Sequence, residues 1–147
     1  MARGEPFVIR VLDAPRELVF QAWTDPDLVA GWAGPSGYST PRDAVSIDLR
    51  VGGRYDYSLV QDDDGAQFRF RNEIVELVEP ELLVLMSDPM PEFGYPEPIV
   101  TGIQLEDEAG RTRIMMSRPY PAERRATARA GWNASFDKLE ALLARPA

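Results

Sequence analysis

The C-terminal part of the chain places the strongest constraint on the fold. From Pro121 to about Ala144, apolar side chains recur at intervals of three and four residues, which predicts one long helix with an apolar stripe. The stripe comprises Ala128, Trp132, Phe136, Leu139 and Leu143. Because large apolar side chains on one helix face are removed from water in a folded protein, the preceding residues must supply a surface that this helix covers.

The middle of the chain predicts a sheet as that surface. Apolar and polar residues alternate along about six segments between residues 45 and 118, as they do in half-buried strands. Turn sequences separate the segments, for example Gly52-Gly53 and residues 62–65. The segments lie too close together for crossover helices, so we expect an antiparallel sheet.

The N-terminal part of the chain predicts a strand followed by two short helices. Residues 7–12 alternate as in a strand, and Asp13 stands where it would cap a first helix. Asp25 precedes Pro26 and is predicted to cap a second short helix that ends near Trp32. The predicted fold is therefore α+β, with helices packed on one side of an antiparallel sheet.

Four segments give the chain a resemblance to a known family. They read APRELVFQAWTDPDLVAGW, DLRVGGRYDY, EIVELVEPELLVL and GWNASFDKLEALLA, and together they span nearly the whole chain. Through them the chain resembles the activator of heat-shock protein 90 ATPase homologue-like family, within the START-related SRPBCC superfamily. The resemblance implies the helix-grip fold, in which a curved antiparallel sheet, preceded by two short helices, wraps a long C-terminal helix. It also implies that residues 1–147 form a single START-like domain with a cavity for a small molecule between sheet and helix.

Composition excludes several kinds of chemistry and partner. The sequence has no Cys and no His, which removes disulfides, thiolate chemistry, the usual zinc ligands and any His-dependent catalytic triad. We therefore expect no metal and no cofactor. The formal net charge of -8 argues against a nucleic-acid partner. No apolar run is long enough to span a membrane and residues 1–8 lack the apolar stretch of a signal peptide, so we expect a cytoplasmic protein.

Nine residues on the predicted sheet and helix are candidates for binding the small molecule. They are Tyr55, Tyr57, Phe70, Asn72, Ile74, Glu76, Met116, Trp132 and Phe136. The helix stripe that carries Trp132 and Phe136 is also typical of plain core packing, as Met116 is of an ordinary core. The two tyrosines are also typical of strand positions whose hydroxyls reach the surface.

Asn72 and Glu76 have two structural interpretations. If the strand runs regularly from Phe68, both side chains share the apolar face with Phe70 and Ile74 and enter the cavity. A cavity carboxylate would have a raised pKa and could act as a general base or as a hydrogen-bond acceptor. A β-bulge near Asn72 would instead turn Glu76 to solvent.

Three functions are consistent with these observations. The first is the binding or carriage of an apolar or aromatic small molecule without turnover. The second is a polyketide cyclase-like or hydrolase-like enzyme, in which Glu76 works with a tyrosine or with Arg118 as acid and base. The third is a module that interacts with a chaperone, which the name of the resembled family suggests.

Overall fold

The computed structural model describes residues 5–144, apart from the side chain of Phe93. Within that range the chain forms eight strands and three α-helices. In order they are β1 Val8–Leu12, α1 Arg16–Thr24, α2 Pro26–Trp32, β2 Tyr38–Ser39, β3 Ser46–Ile47, β4 Arg54–Gln61, β5 Gln67–Val78, β6 Leu82–Ser87, β7 Val100–Glu108, β8 Arg111–Ser117 and α3 Ala122–Leu143. Residues 1–4 and 145–147, which the predicted domain includes, lie outside the described residues.

The strands form one antiparallel sheet that curls around α3. Its order is β1-β8-β7-β6-β5-β4-β2, and β3 also pairs with β4. The prediction of an α+β fold with an antiparallel sheet, two short helices and a long C-terminal helix is confirmed. Alternation did not indicate β2, because two residues are too few to show a period.

The Gly52-Gly53 turn meets both of the conditions that favour glycine. Gly52 has a φ of 86°, in the left-handed region where other residues are strained. A Cβ on Gly53 would lie 2.0 Å from the carbonyl oxygen of Asp48. The backbone amides of Gly52 and Ile74 donate to the carbonyls of Ile74 and Gly53, so this turn is tied to β5. The turn thereby fixes the start of β4, which carries Tyr55 and Tyr57.

The two short helices confirm one predicted cap and correct the other. The side chain of Asp25 accepts a hydrogen bond from the amide of Asp27 at 2.9 Å, as predicted for the start of α2. Asp13 does not cap α1, because the helix begins later, with Pro15 at the N-cap position and no side-chain cap. The amide of Ala14 instead donates to the carbonyl of Leu12, and this tight turn leaves Asp13 exposed.

Helix α3 is held along its C-terminal half by packing and by cations on both flanks. Phe136 and Leu139 are completely buried. On one flank Arg10 of β1 donates to the carbonyl of Asn133 at 2.9 Å and forms ion pairs with two helix carboxylates, those of Asp137 at 2.7 Å and Glu140 at 2.5 Å. On the other flank the Lys138 ammonium donates to the carbonyls of Pro35 and Tyr38, at 3.2 and 2.9 Å.

Phe136→Ala is expected to lower the free energy of unfolding by about 3–5 kcal/mol, because the deleted ring is fully buried and leaves a cavity in the core. Urea-induced unfolding followed by circular dichroism measures the change. Thr127→Ala, at an exposed position of α3, is the control and is expected to change the free energy by less than about 0.5 kcal/mol. A loss no larger than that of the control would contradict the packing of α3 described here.

Candidate functional site

A cavity of about 240 Å³ lies between the concave face of the sheet, helices α1 and α2, and the N-terminal half of α3. Aromatic side chains make up much of its wall. They are Trp23, Trp32, Tyr55, Tyr57, Phe70, Tyr120 and Trp132. Aliphatic and thioether side chains fill the remaining apolar wall, among them Leu85, Ile103 and Met116. The volume is below the range of about 300–1,000 Å³ typical of drug-sized ligands and far above the roughly 30 Å³ of one water molecule.

The nine predicted ligand-binding residues divide into two groups. Six line the cavity: Tyr55, Tyr57, Phe70, Asn72, Met116 and Trp132. Ile74, Phe136 and Glu76 do not. Ile74 and Phe136 are fully buried in the core that surrounds the cavity, so their role is packing.

A β-bulge removes Glu76 from the cavity face. Ile74 pairs with Leu85 of β6, but Glu76 pairs with Val84, so two residues of β5 span one step of β6. The extra residue is Val75, and after it Leu77 rather than Glu76 occupies the inner face and packs against the core. The bulge predicted as the alternative is therefore present, a few residues beyond Asn72. It corrects the expectation that a carboxylate of β5 enters the cavity.

Two of the polar wall residues are committed to holding the scaffold. The Tyr55 hydroxyl donates a short hydrogen bond to the Trp23 carbonyl at the end of α1, and burial raises the pKa of this tyrosine. The side-chain amide of Asn72 donates to the carbonyl of Tyr55 at 2.9 Å, across the β4–β5 pair. These bonds join β4 to β5 and to the end of α1, and so fix the elements that carry the wall.

Tyr57 differs from Tyr55, although both lie on the same face of β4. Its ring stacks on Phe70, with centroids 5.2 Å apart and planes at 22°. Burial raises the pKa of Tyr57 to about 12, while the nearby charge of Arg118 acts in the opposite direction. The phenol therefore stays protonated at neutral pH and can donate a hydrogen bond.

A tryptophan pair forms the opposite wall. Trp132 of α3 stacks on Trp23 of α1, with centroids 5.8 Å apart and planes at 18°. Trp32 packs edge-on against Trp23 at 4.8 Å, and its indole donates to the carbonyl of Ala22 at 2.9 Å. Stacked and edge-on pairs of this kind make a rigid apolar surface that suits a flat ring.

Several wall residues were not predicted from the sequence. Trp23 and Trp32 lie on helix faces whose spacing indicates core in general. Ile103 lies opposite Met116 in the β7–β8 pair, so alternation in β7 together with hairpin register would have indicated it. Tyr120 follows β8 in an irregular segment, where no periodic signal exists.

The sequence model of the Activator of Hsp90 ATPase homolog 1-like proteins matches residues 13–144. The chain belongs to this family. A search of the curated proteins found no significant match.

Solved structures of similar proteins share the fold over nearly their whole length. A protein from Chromobacterium violaceum is 28% identical, with 95% of this chain and 96% of that chain covered and a TM-score of 0.80. A protein from Nitrosomonas europaea is 24% identical, with 92% of this chain and 91% of that chain covered and a TM-score of 0.74. An AHSA1-like protein from Aeromonas hydrophila is 22% identical, with 95% of this chain and 97% of that chain covered and a TM-score of 0.71. The fold is the helix grip of the SRPBCC superfamily, as the resemblance implied.

In residues 5–144, every helix lacks the combination of length and apolar character that is needed to cross a bilayer. The longest is α3, and its exposed residues include charged ones such as Glu123, Arg129 and Asp137.

Tyr55 and Tyr57 are expected to stay protonated in the folded protein at about pH 11, where an ordinary tyrosine is ionised. Ultraviolet absorbance of phenolate should then report at most three of the five tyrosines, and all five once the protein is unfolded in urea. Because the unfolded chain releases protons that the folded chain retains, stability should fall as the pH rises above about 10.

Tyr57→Phe is the matched variant for this titration, because it removes one late-titrating phenol and should leave the number of phenols ionised at about pH 11 unchanged. Ionisation of all five tyrosines near pH 10, in a protein that circular dichroism shows to be folded, would contradict the burial of these two side chains.

Proposed function

We propose that the protein binds a compact aromatic or apolar small molecule in the cavity under α3. The observation that carries the proposal is a cavity of about 240 Å³ with tryptophan, tyrosine and phenylalanine rings on its wall. Apolar lining with a few polar groups is typical of small-molecule sites. Proteins of the SRPBCC fold commonly hold a ligand in a cavity, which supports the same role here.

The size of the cavity selects among apolar ligands. A volume of about 240 Å³ suits one or two fused rings better than a long acyl chain. The stacked Trp23–Trp132 and Tyr57–Phe70 pairs supply flat faces at which a planar ring gains contact area on both sides.

We propose binding or carriage rather than turnover. The predicted enzyme needs a carboxylate on the cavity wall, and the bulge in β5 turns Glu76 away from it. Among residues 5–144, no Asp or Glu lines the cavity. The chaperone-interacting role, the cytoplasmic location and the single domain over residues 1–147 stay predictions.

Naphthamide, a neutral bicyclic probe, is expected to bind the wild-type protein, as measured by isothermal titration calorimetry. Ala128→Trp should weaken that binding by tenfold or more, because Ala128 lines the cavity and the indole fills it. Ala130→Trp places the same side chain two residues away, at an exposed position of α3, and should bind the probe as the wild type does.

Native mass spectrometry of the purified protein gives a second readout, in which a co-purifying small molecule is expected to be absent from Ala128→Trp and present in Ala130→Trp. Failure of naphthamide to bind the wild-type protein, together with no co-purifying molecule, would overturn the proposed function. Equal binding by the two variants would show that the ligand lies elsewhere.

A further inference from the structure

The charge on the cavity wall has one sign. The chain has 24 acidic and 16 basic residues, yet within residues 5–144 the charged residues on the wall are Arg71 and Arg118. Arg71 lies on β5 between Phe70 and Asn72, so strand alternation directs its exposed side chain to the other face of the sheet. Arg118 is therefore the cation that a ligand in the cavity would meet.

Aromatic rings hold the Arg118 guanidinium in place. Arg118 follows the last residue of β8 and is half-buried. Its guanidinium carbon lies 4.9 Å from the centre of the Tyr120 ring and 5.8 Å from that of Tyr95. The Tyr95 hydroxyl in turn accepts a hydrogen bond of 2.9 Å from Arg124. Cation–π contacts use the face of a guanidinium and leave its N–H donors available.

No carboxylate within residues 5–144 forms an ion pair with Arg118, and its side chain donates no hydrogen bond within that range. Seven other arginines do pair with carboxylates. They are Arg10, Arg16, Arg42, Arg50, Arg54, Arg111 and Arg113. The N–H donors of this half-buried guanidinium are thus not used within residues 5–144, and an anion in the cavity could accept from them.

Two phenols accompany this cation. Arg118 lies against the Tyr120 ring, 4.9 Å from its centre, and Tyr57 lines the same cavity, where burial raises the pKa of its phenol and the nearby Arg118 charge acts in the opposite direction. In the part of the chain that the structure describes, neither the Tyr57 nor the Tyr120 hydroxyl makes a hydrogen bond. This part of the cavity therefore offers one cation and two hydroxyls. The opposite wall contributes the buried indole N–H of Trp23, which has no hydrogen-bond partner within residues 5–144.

We propose that the ligand is a compact aromatic acid, whose rings lie between the aromatic walls and whose carboxylate is bound by Arg118 together with the hydroxyl of Tyr57. This inference rests on the proposed function and specifies its ligand. The planar fork of a guanidinium matches the two oxygens of a carboxylate. A carboxylate is favoured over a phosphate because Arg118 balances one negative charge, while strand alternation directs the other arginine of the wall, Arg71, to the other face of the sheet.

The test compares naphthoate with naphthamide, which share their rings and differ in charge. Isothermal titration calorimetry on the full chain should show naphthoate binding at least about tenfold more tightly, the usual contribution of a hydrogen bond to a charged group. Arg118→Gln should abolish that preference, because a neutral amide replaces the cation that binds the carboxylate. Arg69→Gln removes the same charge from an exposed position of β5 and should keep the preference, so it controls for net charge.

The outcomes separate this inference from the proposed function. If naphthamide binds and naphthoate binds no more tightly, the inference that the ligand is an acid is wrong, while the proposal that the cavity binds a small molecule stands. If neither probe binds and no small molecule co-purifies, both are overturned. A preference that persists in Arg118→Gln would place the anion elsewhere.

Tyr57→Phe offers a second variant should Arg118→Gln fail to fold, because it deletes one hydroxyl and keeps the ring that stacks on Phe70. It should reduce the naphthoate preference over naphthamide by about threefold to tenfold. An unchanged preference in Tyr57→Phe would remove Tyr57 from the proposed carboxylate site.

Discussion

The structure depends on the unequal packing of α3 against the sheet. In its C-terminal half, Phe136 and Leu139 are fully buried and the Arg10 and Lys138 contacts fix the helix on both flanks. In its N-terminal half, Ala128 and Trp132 are only half-buried and border the cavity. The C-terminal half of the helix therefore closes the core, whereas the N-terminal half, which Arg129 ties to the carbonyl of Phe7, leaves the cavity between itself and the sheet. This division explains why two aromatic residues on one predicted stripe, Trp132 and Phe136, have different roles.

The fold could be predicted from the sequence because its signals are periodic, whereas the site depends on features that have no period. Alternation and helical spacing indicated the strands, the long helix and the face of each that points inward. A one-residue bulge at Val75 reverses that face for the rest of β5, and nothing in the residues themselves marks it. The same limit applies to Asp13, which looks like a helix cap but is exposed beside a backbone turn that replaces the cap.

A sequence pattern also cannot predict which neighbours a residue meets once its strand face is known. Tyr55 and Tyr57 are the same residue type on the same face of one strand. Tyr55 lies where the Trp23 carbonyl can accept a hydrogen bond from its hydroxyl, which therefore serves the scaffold. Tyr57 lies one step further along, beside Arg118 and Tyr120, where it faces the cavity's polar end. Only the position of α1 across the sheet separates these outcomes, and that position is a tertiary property.

The positive end of the cavity has a consequence for how an anion would reach it. The whole protein carries a formal net charge of -8, so at long range its field repels an anionic ligand. That repulsion is screened over about 8 Å at physiological ionic strength, whereas a half-buried pair with Arg118 is screened much less. A second arginine stands close by, since Arg124 donates to the hydroxyl of the Tyr95 ring that lies beside the Arg118 guanidinium. Recognition of an acid would thus be decided by contact inside the cavity rather than by steering from solution, and added salt would speed its entry more than it weakens its binding.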